Sequence, residues 1–187
     1  MSGLERIQRI RAMKRGLPED VRAAAPVLRR KVEAEAAGTA PALSEREQQE
    51  LLRLLAMLEV AYLAAAADGE LGEGELLNLA GNLAAWLGGE IEGETIAAVL
   101  DSFDAALEEH GFEGRLAALA EFLDPDSRRV AYSLSSAIVA CDAEVRQEEL
   151  GILGDIAGVF EIPEAEAQAR FDEVFDSLQQ AMAAAPA

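Results

Sequence analysis

From Ser44 to about Met182, apolar residues recur at every third or fourth position, and short breaks cut the pattern. That period belongs to amphipathic helices. Leu51, Leu55, Leu58, Tyr62 and Ala65 form the first stripe, preceded by "SERE", which reads as a capping box with Ser44 as N-cap and Glu47 at N3. The spacing predicts a helix to about Ala67, broken by Gly69. Another opens near Gly72, passes Leu76, Leu79, Leu83 and Trp86, and closes at Gly88-Gly89. Helices are then predicted over about 92–109, ending at Gly111, and over about 113–123. Asp124-Pro125 offers an N-cap followed by proline at the first helical position. Val130, Leu134, Ala137, Ile138 and Cys141 make the next stripe. A helix from about Arg146 to Phe160, and a last one from "IPEAE" to about Met182, complete the series.

Upstream, Leu4, Ile7, Ile10 and Met13 are interleaved with Arg6, Arg9, Arg11 and Lys14, a short basic amphipathic helix ended by Gly16 and Pro18. A second stripe follows at Val21, Ala24, Ala25, Leu28 and Val32. Pro26 interrupts it, so a kink or a helix restart is expected there. Residues 36–43 read as a linker. The expected organisation is a basic helical extension over residues 1–38 and a helical domain over residues 44–180.

The body repeats itself. "ADGELGEGE" at residues 67–75 and "CDAEVRQEE" at residues 141–149 both read Asp-x-Glu-(Leu/Val)-x-x-x-Glu, 74 residues apart. Asp68 matches Asp142, Glu70 matches Glu144 and Glu75 matches Glu149. The register continues through Leu76 and Leu150, Leu79 and Leu153, and Trp86 and Phe160. The expected fold is all-α: an antiparallel helical bundle built from a duplicated helix–acidic corner–helix unit, with the N-terminal helical extension beside it.

Composition supports this class. Of 187 residues, 51% are apolar and only 5% aromatic, and most of the apolar content is Ala and Leu, which favour helix over strand. The formal charge of −19 disfavours nucleic acid, whose phosphates need clustered Lys and Arg, and favours cations and basic partners. The charge is unevenly placed: residues 1–31 hold nine Lys/Arg against three Asp/Glu. Cys141 is the one cysteine, so no intrachain disulfide forms, and with no signal peptide visible the expected location is cytoplasmic. No apolar run approaches the length of a transmembrane segment.

"AYLAAAADGELGEGELLNLAGNL" and "SSAIVACDAEVRQEELGILGDIAGVF" resemble the two halves of a TerB-like domain, of the tellurite-resistance family, over roughly residues 44–178. The resemblance implies an all-helical module linked to tellurite and stress resistance, with membrane-associated protein partners and a metal site at its acids. The residues it carries over are Asp68, Glu70 and Glu75, then Asp142, Glu144 and Glu149. The second corner departs from the first in having Ala143 where the first has Gly69. Residues 1–43 lie outside the resemblance.

Two readings of these acids stand side by side. As helix caps, Glu75 and Glu149 sit in the first turns of their helices, where carboxylates meet free N–H groups and the positive end of the dipole. As ligands, the six carboxylates suit an oxygen-seeking divalent cation, Ca²⁺ or Mg²⁺ first and others after them. The corner is not an EF-hand, because Glu73 stands where that loop needs glycine and Leu79 where it needs a bidentate Glu.

No constellation points to an enzyme. His110, the one histidine, suits a helix C-terminus. Ser133, Ser135 and Ser136 have no apparent base, and no phosphate-binding loop or triad pattern occurs. Trp86, Phe103, Phe112, Phe122, Phe160, Phe171 and Phe175 are expected in the core, and Asp101, Asp104, Glu108, Glu166 and Asp172 on solvated faces. The basic N-terminal helix has three readings: folded onto the acidic body, laid on an anionic membrane surface, or docked on a protein partner. A homodimer is compatible with the sequence.

Overall fold

The computed structural model describes residues 19–66, 79–81, 83, 93–140 and 147–183. They form an all-α helical bundle, with no strand among the described residues. We number the helices α1 (Glu19–Ala36), α2 (Glu45–Ala66), α3 (Gly93–Phe122), α4 (Pro125–Val139), α5 (Gln147–Val159) and α6 (Glu164–Ala183). Residues 79–81 and 83 are helical too.

α1 runs unbroken through Pro26, where a kink or restart was expected. Pro26 is exposed, while Ala24, Ala25, Val27 and Leu28 are all buried. Packing of that stripe holds the helix through the missing hydrogen bond. The helix closes at Gly38, whose φ of 67° lets the Thr39 amide reach back to the Ala34 carbonyl at 2.8 Å. The chain then returns as α2, and Arg30 pairs with Glu47, so α1 and α2 make an antiparallel hairpin.

α2 starts as its sequence predicts. The Ser44 amide and hydroxyl donate to Glu47 Oε2 at 2.9 and 2.8 Å, and the Glu47 amide donates to Ser44 Oγ at 3.3 Å. Beyond Arg53 the helix is the centre of the bundle: Leu54 and every residue from Ala56 to Ala64 are buried. The predicted stripe described one face of a helix that is covered on several, by α1, α3, α4 and α5. Leu55 and Ala65, two stripe members, are only half-buried, whereas Leu54, Met57 and Leu63 are inside.

α3 contains the predicted break. Gly111, at φ 70° and ψ 165°, is non-helical and divides it into residues 93–110 and 112–122. The second half runs antiparallel to α2, since Arg115 pairs with Glu59 and Asp124, farther along the chain, pairs with the earlier Arg53. Asp124 then caps α4 as expected, accepting the Ser127 amide at 2.8 Å with Pro125 at the first helical position.

The direction of α4 follows from two observations. The Arg53–Asp124 ion pair, at 3.7 Å, sets the start of α4 beside Arg53. Residues 44–50 of α2 are exposed or half-exposed, whereas the stretch after Arg53 is buried, and α4, which packs on α2 more than on any other helix, is itself buried over most of residues 131–140. α4 therefore runs along the buried part of α2 in the same sense, and the two helices finish at the same end of the bundle. α5 and α6 complete the core against α4, with Arg129 donating to Glu166 at 2.8 Å.

Of the expected core aromatics, Phe103 and Phe160 are buried and Phe112, Phe171 and Phe175 half-buried. Phe122 is a correction: it is 55% exposed, because the helix ends there and Leu123, at 2%, takes the inward position. Trp86 lies outside the described residues.

Candidate functional site

Of the six corner acids, Asp68, Glu70, Glu75, Asp142 and Glu144 lie outside the described residues, as does Cys141. Glu149 is described. It occupies the first turn of α5 and is half-buried, where a carboxylate is favoured by the helix dipole. The elements that lead into the corners are well defined. α2 ends at Ala66, two residues before Asp68, and the turn after α4 is at Ala140, two residues before Asp142. Because α2 and α4 finish at one end of the bundle, Ala66 and Ala140 both lie at that end. Among the described residues, no group of three or more His, Cys, Asp or Glu could hold a metal ion.

The strongest polar feature inside the described bundle is one that periodicity does not announce. Glu59, 6% exposed at the centre of α2, accepts two hydrogen bonds from Arg115, Nε to Oε1 at 2.7 Å and an Nη to Oε2 at 2.8 Å. This bidentate fork satisfies a carboxylate that burial would otherwise penalise heavily. One turn on, the buried Tyr62 hydroxyl donates to Asp104 Oδ1 at 2.7 Å, and its ring meets Phe103 at 6.0 Å between centroids. Burial first, then the bond to Asp104 and the negative charge of Asp101 and Glu108, push the Tyr62 phenol well above its ordinary range. One signal in the sequence could have flagged Glu59: it is the sole charged residue between Arg53 and Asp68.

Other candidate groups are satisfied structurally. The Ser133, Ser135 and Ser136 hydroxyls donate to the carbonyls of Arg129, Ala131 and Tyr132 at 3.0, 3.0 and 2.9 Å. That back-bonding lets Ser135 and Ser136 sit fully buried in α4. His110 is exposed at the end of the first half of α3, 3.8 Å from Glu109. Asp101, Asp104, Glu108 and Asp172 are exposed, as expected of a solvated face. Glu166 differs: it is half-buried and accepts from Arg129 and Arg170, which hold its carboxyl below the ordinary range.

Glu47 is also strongly tuned. The Arg30 guanidinium first, then the Ser44 amide and hydroxyl, lower its carboxyl from 4.5 to about 2. An open groove of about 460 Å³ lies beside this pair, between α1 and residues 40–43, lined mainly by Ala34, Ala40, Pro41, Ala42 and Leu43. Its one guanidinium, Arg30, is already engaged by Glu47. Among the described residues, Glu47 and Asp124 cap helices, Glu59 and Glu166 are clamped by arginines, and Asp101, Glu108 and Asp172 lie on solvated faces. No helix among the described residues is long and apolar enough to cross a membrane. Compared with known protein families, with curated proteins and with solved structures, the chain has no match.

Proposed function

We propose that this chain is a non-enzymatic, cytoplasmic, TerB-like module that binds a divalent cation at its acidic corners. It engages protein partners, membrane-associated ones included, in tellurite or stress resistance or a related pathway. One observation carries the reading: α2 and α4 run in the same sense and end together, so Ala66 and Ala140, each two residues before the Asp68 and Asp142 of the two acidic motifs in the sequence, lie at one end of the bundle. Two carboxylates ~5 Å apart repel by ~3 kcal/mol at an effective dielectric of ~20, and a hard cation relieves that repulsion. The sequence before α1 is rich in Lys and Arg, a charge suited to an acidic partner or an anionic membrane.

The competing reading, an interaction scaffold whose acids only cap helices, is favoured by Glu149 in the first turn of α5. Thermal melts of EDTA-treated protein separate the two. With ~1 mM Ca²⁺, Mg²⁺, Mn²⁺ or Zn²⁺, a site of Kd ~10 μM adds ~2.7 kcal/mol. A selective rise for one cation, lost in the Asp68→Asn/Asp142→Asn double variant, supports the cation module. Equal small shifts for every cation, unchanged in the variant, leave the scaffold.

A further inference from the structure

The two halves of α3 are tied to the core separately. Residues 93–110 are clamped by the hydrogen bond from Tyr62 to Asp104 and by the Tyr62–Phe103 ring contact. Residues 112–122 are clamped by the fork of Arg115 on Glu59. The two anchors on α2 are one turn apart. Between the halves stands Gly111, in a conformation open to glycine alone, and a Cβ built there would meet no atom within 4 Å. The backbone leaves the helical conformation at this joint, and the space on the Cβ side of Gly111 is open.

The halves also differ in charge. Residues 93–110 carry five carboxylates and no Lys or Arg, while residues 112–122 carry two carboxylates and Arg115. On the first half Asp101 and Asp104 are three apart and Asp104 and Glu108 four apart, spacings at which like charges destabilise a helix. All three are exposed, so salt screens their repulsion. An element loaded with one sign of charge, joined by a glycine and held to α2, among the described residues, by the Tyr62–Asp104 hydrogen bond and an apolar stripe, is built to detach before its neighbour does.

We propose that residues 93–110 form a hinged strap, which opens from α2 about Gly111 as a unit independent of residues 112–122 and is closed by added salt. Opening uncovers the face of α2 around Tyr62, whose side chain is 1% exposed when the strap is shut. This inference does not depend on the acidic corners binding a cation, and monovalent salt suffices to test it.

Native-state hydrogen exchange on the full chain, resolved by peptide, gives the test. The expected result is faster exchange in residues 93–110 than in 112–122. Raising NaCl from about 20 to about 300 mM cuts the Debye length from about 20 to about 6 Å and should slow exchange in the first half alone. Tyr62→Phe should speed exchange about fivefold in residues 93–110, the loss of one typical hydrogen bond, and leave 112–122 unchanged. Exchange that is equal in the two halves, or that shifts in both together with salt or with Tyr62→Phe, overturns the strap.

Discussion

Arg115 on α3 grips Glu59 on α2 through two hydrogen bonds of 2.7 and 2.8 Å, across 56 residues of chain. The carboxylate keeps 8% of its side-chain surface and the guanidinium 23%. A charge so placed is tolerable only while its partner is present. Glu59→Gln or Arg115→Met should each cost about 2–3 kcal/mol, short of a fully buried pair because Arg115 retains contact with water. Glu59→Met combined with Arg115→Met should recover most of the loss. Urea unfolding midpoints of the three variants check this; a double variant no more stable than the singles would mean the pair stabilises outright.

The capping box gives a pH signature. Glu47 is held near 2 in the folded chain against an ordinary 4.5, so the folded value is the lower one. Its contribution is complete above about pH 4.5 and is lost as pH falls toward 2. Glu47→Gln should therefore melt below the parent near neutral pH, with the difference closing across that acidic window. A difference that stays constant into acid would assign the loss to hydrogen-bond geometry rather than charge.

Two neighbouring glycines should respond with opposite signs. At Gly111 there is room for a Cβ, yet φ of 70° with ψ of 165° is closed to L-residues, so Gly111→Ala should cost about 1–3 kcal/mol by backbone strain alone. Gly114 is helical, and its Cβ would meet only His110 Cβ at 3.8 Å, an ordinary contact. Gly114→Ala should stabilise by about 0.5–1 kcal/mol through helix propensity. Thermal melts of both variants decide the matter.

α5 ends in a Schellman turn built on the wrong residue. The Ile162 amide reaches the Ala157 carbonyl at 2.9 Å and the Glu161 amide reaches Gly158 at 3.2 Å, with Glu161 at φ 57°. The equivalent position after α1 is Gly38. Glu161→Gly should gain about 0.5–1 kcal/mol by relieving the left-handed conformation. The ion pair it removes, Arg128–Glu161 at 3.6 Å with Glu161 85% exposed, contributes little. An unchanged melting temperature would show that strain and ion pair cancel.

Helix boundaries and caps were readable along the chain because their causes are local. Ser44 and Glu47 are three residues apart, Asp124 and Ser127 likewise, and Gly111 breaks its helix by its own dihedrals. Periodicity was a weaker guide inside the bundle. It found one stripe on α2, but Leu54, Met57 and Leu63 are as buried as the stripe, and Phe122, apolar and helical, faces water. The corner acids were legible as a repeated motif, and of these only Glu149 has its place within the described helices.

By itself, then, the sequence determined the all-α class, the caps at Ser44 and Asp124 and the break at Gly111, since capping, glycine and proline act within three or four residues. Only the tertiary structure decided that α2 is surrounded, that Glu59 meets Arg115 and Tyr62 meets Asp104, and that α2 and α4 end side by side. Those outcomes depend on how whole helices pack, and the partners of a buried side chain are chosen by the shape of the assembled core rather than by its neighbours in the chain.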